Sequence, residues 1–126
     1  MSKQVQACQK LWAQNKYLVL SKSQKLYLEI REYLKTEEPE LDVVEAYIDQ
    51  AKAMPEDRGQ VVNAYQHVWG YFKKLATDRE KADFMALLSA YREGEANKDN
   101  LAQAVRDLLV LYPNAYLEQS TLLYEV

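Results

Sequence analysis

A chain of 126 residues that is 48% hydrophobic and 28% charged, with only 3 glycines and 3 prolines, suits one helical domain with few irregular turns and excludes a disordered polymer. One cysteine and one histidine exclude an internal disulfide and a zinc site of the usual Cys/His type, and no apolar run reaches the roughly 18–20 residues that span a bilayer. The net charge of −3 is unevenly spread: residues 1–28 hold five lysines and residues 58–74 hold Arg58, Lys73 and Lys74, both without an acid, while residues 29–57 set ten acids against three bases.

The first helix is expected from Lys3 to Leu20, with Val5, Cys8, Leu11, Trp12, Leu18 and Val19 along one side at i, i+3, i+4, i+7 spacing. Asn15 falls inside that apolar arc. An unsatisfied buried amide costs about 1–3 kcal/mol, so Asn15 is either a polar anchor between helices or part of a site open to solvent. A second helix, capped by Ser21 or Ser23, runs to about Lys35 with Leu26, Ile30, Tyr33 and Leu34 inward, and forms a hairpin or one bent rod with the first. Pro39 suits the first turn of a third helix that carries Leu41, Val44, Tyr47, Ile48 and Ala51 and ends near Met54.

The fourth helix, read from Arg58 to Leu75, is the one around which the chain is organised. At about 100° per residue, Val61, Tyr65, Val68, Trp69, Phe72 and Leu75 form a core face, and Asn63, Gln66, His67, Gly70 and Lys74 share the opposite side. Two amides, the histidine, a glycine and a lysine make an unusual solvated face. A glycine inside a helix costs about 1 kcal/mol relative to alanine, so Gly70 marks a place where a ligand or a second helix comes close. Thr77 and Glu80 form a capping box before a fifth helix with Phe84, Leu87, Leu88 and Tyr91, which stops near Gly94. Asn97 to Asn100 reads as a polar turn before a sixth helix with Leu101, Val105, Leu108, Leu109 and Tyr112. Pro113 ends it, leaving residues 114–126 as a short helical turn or an extended tail. With no strand-like alternation and no repeat, the expected fold class is all-α: one domain over residues 1–126, a bundle of about six helices.

Phosphate-cradling glycine loops, nucleophile elbows, HExxH and paired cysteines are absent. Histidine is the residue type most often used as a general base, yet no acid on the helical face of His67 orients it. The reading is therefore a binding domain rather than an enzyme, with no catalytic residue, metal or cofactor assigned. Amides pair with base edges, histidine and tyrosine stack on bases, and lysine contacts phosphate. The two acid-free stretches would give an acidic protein one positive face, the footprint of a polyanion partner. Tyr17, Tyr71 and Trp12 lie near the lysines in sequence, which suits unpaired RNA better than duplex DNA, although Trp12 and Trp69 are also natural core residues.

Leu11 to Tyr17, Arg58-Gly59, Asn63, Gln66-His67, Gly70 to Lys74, Tyr91-Arg92 with Gly94, and Tyr112-Pro113 followed by Tyr116-Leu117 resemble the YbgA family of bacterial domains over nearly the whole chain. The stretch Gln66-His67-Val68-Trp69-Gly70-Tyr71-Phe72-Lys73-Lys74 is the most specific part. The family's His-Lys-Tyr stands here as Asn15-Lys16-Tyr17, its Arg-Gly-x-His as Arg58-Gly59-Gln60-Val61, and its Pro-Leu-rich segment before the last helix as Glu95 to Asp99. Such domains occur alone and as the C-terminal half of two-domain proteins whose N-terminal half looks like an iron–sulfur thiouracil desulfidase. There the domain is implicated in holding tRNA while sulfur is removed from a base. The resemblance implies an RNA-binding accessory domain associated with thiolated-base processing, with tRNA the expected class and a desulfidase-type protein as a partner. The residues carried over are Lys16, Tyr17, Arg58, Asn63, Gln66, His67, Gly70, Tyr71, Lys73 and Lys74. Lacking cluster-binding cysteines, the chain corresponds to the helper half. The alternatives are a protein-interaction module docking a modifying enzyme through the Gly70 face and a small-molecule enzyme using His67. Residues 1–20 lack the apolar segment and cleavage site of a signal peptide, so a cytoplasmic protein without a membrane partner is expected.

Overall fold

The computed structural model describes residues 2–124, and every regular element among them is helical. The order is α1 (Lys3–Lys22), α2 (Gln24–Leu34), α3 (Leu41–Ala53), α4 (Arg58–Trp69), α5 (Asp78–Arg92), α6 (Lys98–Leu111) and α7 (Ala115–Glu118). The helix starts follow from local chemistry. Ser2, Ser23, Asp57, Thr77, Asn97 and Asn114 each accept a backbone N–H of the turn they precede, an interaction typically worth about 1 kcal/mol. At α3 the cap is Glu40, which makes no side-chain cap bond. Pro39 thus lies one residue outside the helix rather than in its first turn; it is buried, and its carbonyl accepts the Cys8 thiol at 3.6 Å.

The 20 residues of α1 form a wall shared by two apolar clusters. Cys8 and Val19 join Leu26, Ile30, Val44, Ile48 and Ala51 of α2 and α3 on one side. Tyr17 and Leu20 join the larger cluster, built mainly from α4, α5 and α6 and completed by Leu117 and Leu123. Neighbouring helical residues point about 100° apart, so Val19 and Leu20 serve different clusters. Of the expected core face, Val61, Tyr65, Val68, Trp69 and Phe72 are buried, and Val62 is buried beside them.

α4 ends at Trp69, short of the expected Leu75. The N–H groups of Gly70, Tyr71, Phe72 and Leu75 bond to carbonyls three residues back, a tightening after which the 3.6-residue projection no longer applies. Ala76 packs against the core in place of Leu75, which is 60% exposed. Gly70 is consequently a C-cap with φ −53°, not an interior glycine. A Cβ there would meet only the His67 carbonyl oxygen, at 3.1 Å, so no second helix among the described residues requires its small size. Gly94 is the glycine whose backbone demands one. Its φ is +82°, with Glu95 N–H bonded to the Ala90 carbonyl and Gly94 N–H to that of Tyr91, the Schellman closure of α5.

Asn97 and Asn100 cap each other reciprocally and so begin α6 instead of forming a free turn. The C-terminal segment is packed, not an extended tail. α7 and the turn after it insert Leu117 and Leu123 into the core, and Thr121 N–H donates to the Gln14 carbonyl at 2.8 Å. Residues 125–126 of that segment lie outside the described residues. No helix among the described residues is long and apolar enough to cross a membrane.

Candidate nucleic-acid interface

Asn15 begins the site by fixing the C-terminal segment. It is buried, its Nδ2 donates to the Leu11 carbonyl at 3.0 Å, and its Oδ1 accepts the Thr121 hydroxyl at 2.8 Å. It is the polar anchor of the two readings, and the element it anchors is the C-terminal turn. That anchor brings α7 beside α1, and with it Tyr116. The Tyr17 and Tyr71 hydroxyls share a hydrogen bond of 2.8 Å, with their rings edge to face at 6.1 Å. Tyr71 in turn stacks on Tyr116, with centroids 6.2 Å apart and planes 15° from parallel. The Lys16 ammonium lies 5.3 Å from the Tyr17 ring and 5.4 Å from the Tyr116 ring. Aromatic pairs of this kind contribute about 0.5–1.5 kcal/mol each and exposed cation–π contacts about 0.5–1 kcal/mol, enough together to hold one arrangement.

Exposure divides the labour within this cluster. Tyr17 is only 6% exposed, and burial first, then its bond to Tyr71, pushes its hydroxyl well above the usual tyrosine range. It remains a neutral phenol that positions Tyr71 and does not face solvent. Lys16, Tyr71 and Tyr116 are half-buried. Burial also raises the Tyr116 hydroxyl above its ordinary value.

Gln66, His67 and Gly70 are exposed at the end of α4, immediately before Tyr71, and Lys73 and Lys74 are exposed immediately after it. His67 has no side-chain hydrogen-bond partner among the described residues, and no three His, Cys, Asp or Glu side chains there are grouped to hold a metal. Asn63, about one turn before His67, is partly buried, and its Nδ2 makes no hydrogen bond among the described residues.

Arg58 does not join the group. It opens α4, about 18 Å along the axis from Gly70 at 1.5 Å per residue. Its guanidinium donates to the Tyr91 carbonyl and lies 4.6 Å from the centre of the Tyr91 ring. The Tyr91 hydroxyl donates to Glu56 Oε2 at 2.5 Å, and Lys98 Nζ lies 3.8 Å from Glu56 Oε1. Burial and then Glu56 push the Tyr91 hydroxyl above its usual range. This clasp ties the start of α4 to the end of α5 and the start of α6, so Arg58 is engaged in holding the fold. Lys22 is similarly engaged, donating to the Met54 carbonyl at 2.8 Å.

Of the eight cations in the acid-free stretches, Lys16 lies against the tyrosines, Lys73 and Lys74 are exposed shortly after Tyr71 in the chain, and Arg58 and Lys22 are engaged elsewhere. Tyr116 and Thr121 were absent from the residues singled out as contacts. The signal for the first was local: Pro113 followed by Asn114, a good N-cap, announces the short helix that presents Tyr116.

No curated protein and no solved structure matches the chain. A family model described as a protein of unknown function, DUF1722, matches residues 16–125, from Lys16 through α7 and the turn beyond it. The chain therefore belongs to the DUF1722 family.

Proposed function

We propose that this protein binds single-stranded or loop RNA, tRNA first, on the surface where α1, the end of α4 and α7 meet. The observation that carries the reading is the Tyr71–Tyr116 stack with the Lys16 ammonium beside it. Aromatic rings flanked by cations are how unpaired bases are held without strong sequence preference, each stacked base contributing about 1–3 kcal/mol. Lys73 and Lys74 follow the stack closely enough in the chain to contact the flanking phosphates, and Gln66 and His67 supply groups for base edges. Similarity to YbgA-type domains supports the same reading and adds a role beside an enzyme that removes sulfur from a tRNA base. Tyr17 contributes to the scaffold of this surface, whereas Arg58 holds the far end of α4.

The test is fluorescence anisotropy of a labelled single-stranded RNA and of tRNA, with Tyr116→Leu and Tyr116→Phe compared. Loss of one stacking ring should weaken binding about 5-fold to 150-fold, which corresponds to about 1–3 kcal/mol, while the phenylalanine variant should bind like wild type. Equal binding by all three proteins, or none by wild type, would overturn the reading.

A further inference from the structure

α5 and α6 form an antiparallel pair, since the Tyr112 hydroxyl at the end of α6 donates to Glu80 Oε1 at the start of α5, at 2.6 Å. Between them runs an open groove of about 400 Å³. α5 lines it with Glu80, Asp83, Phe84 and Leu87, and α6 with Ala104, Asp107, Leu108 and Leu111. Both sets repeat i, i+3, i+4, i+7, so each helix offers two turns of a ridge whose floor, Phe84 and Leu108, is the outer edge of the core and whose rim is exposed, the kind of seam a third helix packs against. Leu111 in this lining is 62% exposed, and its chain neighbour Val110, outside the lining, is 81% exposed.

Charge decides what kind of helix fits. Three carboxylates line the groove and no cation does. Asp83 has a solvent-exposed partner in Arg79 at 3.2 Å, Asp107 accepts only the Gln103 amide at 2.8 Å, and Glu80 accepts Tyr112 and the Thr77 N–H. The nearest α6 cation, Arg106, turns away to the Leu123 carbonyl and Gln103. An acidic rim over an apolar floor repels nucleic acid and complements a helix with one apolar stripe flanked by lysine or arginine.

We propose that the α5–α6 groove docks a basic amphipathic helix of a partner protein. This site is separate from the tyrosine surface and does not depend on RNA binding. The occupant is about two to three turns long, with leucine-like residues at i, i+3 or i+4, and i+7 seated over Phe84, Leu87 and Leu108.

The experiment screens a library of helical peptides of about 14 residues against the full chain, with leucines fixed at i, i+3 and i+7 and with Lys or Glu randomised at the flanking positions. The selected peptides should carry Lys flanks and perturb amide NMR shifts of α5 and α6. Their affinity should fall about five-fold or more in Leu111→Glu and in Asp83→Asn/Asp107→Asn, the loss expected of central contacts. The control Glu37→Gln/Glu38→Gln removes the same charge from an exposed loop outside the groove and should leave affinity unchanged. Selection of no binder, selection of Glu flanks, or binding indifferent to Leu111→Glu would overturn the proposal. So would concentration-dependent dimerisation in sedimentation that Leu111→Glu abolishes, which would assign the groove to a second copy.

Discussion

Asn15 satisfies a backbone carbonyl of its own helix and a hydroxyl 106 residues away, so it couples α1 to the end of the chain. Asn15→Leu should cost about 1–3 kcal/mol in urea denaturation, the range for breaking buried polar pairings, and a change under about 0.5 kcal/mol would show that the anchor is dispensable. The apolar arc made Asn15 conspicuous in the sequence; its partner Thr121 left no local trace. His67 stands in contrast, exposed and without a side-chain partner among the described residues. His67→Ala should leave stability within about 0.5 kcal/mol of wild type while weakening RNA binding, and a large stability loss would reveal an unrecognised structural role. The tyrosines carry the pH dependence. Tyr17 and Tyr91 titrate above the ordinary value of about 10 once folded, so their stabilisation is fully present below that pH and is lost as pH rises through their folded values. Stability should therefore fall above about pH 10, and less steeply in Tyr17→Phe. A UV titration of the folded protein in which all 10 tyrosines ionise together near the ordinary value would contradict this.

Among the elements, the two informative glycines behave oppositely. Gly94 closes α5 at φ +82°, and Gly94→Ala should cost about 1–2 kcal/mol, the penalty of a left-handed backbone with a Cβ. Gly70 has an ordinary helical φ, so Gly70→Ala should change stability by less than about 1 kcal/mol, and thermal denaturation of the pair distinguishes them. If Gly70→Ala were the more damaging, the close-approach reading of that residue would return. Periodicity made six of the seven helices and the Thr77 capping box legible, because apolar residues recurring every three to four positions record the core directly. It overran at α4 because Phe72 and Leu75 keep helical spacing after the backbone has tightened into three-residue turns. α7 is only four residues long, too short for a periodic signal, and its place in the core depends on Asn114 and Thr121.

For the whole molecule, charge is distributed by region. An acid-lined groove lies on α5 and α6, and a lysine-bordered tyrosine cluster lies where three other segments meet. That cluster was only half legible: Lys16, Tyr17 and Tyr71 were recognisable as residue types, but they meet across a separation of 54 residues that no local pattern records. Nor did formal charge distinguish Lys16, Lys73 and Lys74 from Arg58 and Lys22, which the fold engages on backbone carbonyls. The measurement that tests the RNA reading most directly is the salt dependence of affinity for a labelled single-stranded RNA. With three lysines each neutralising one phosphate, the slope of log affinity against log salt should be roughly −2, and Lys73→Ala/Lys74→Ala should reduce its magnitude by about 1.4. Affinity that is undetectable at low salt, or a slope the double variant leaves unchanged, would contradict it.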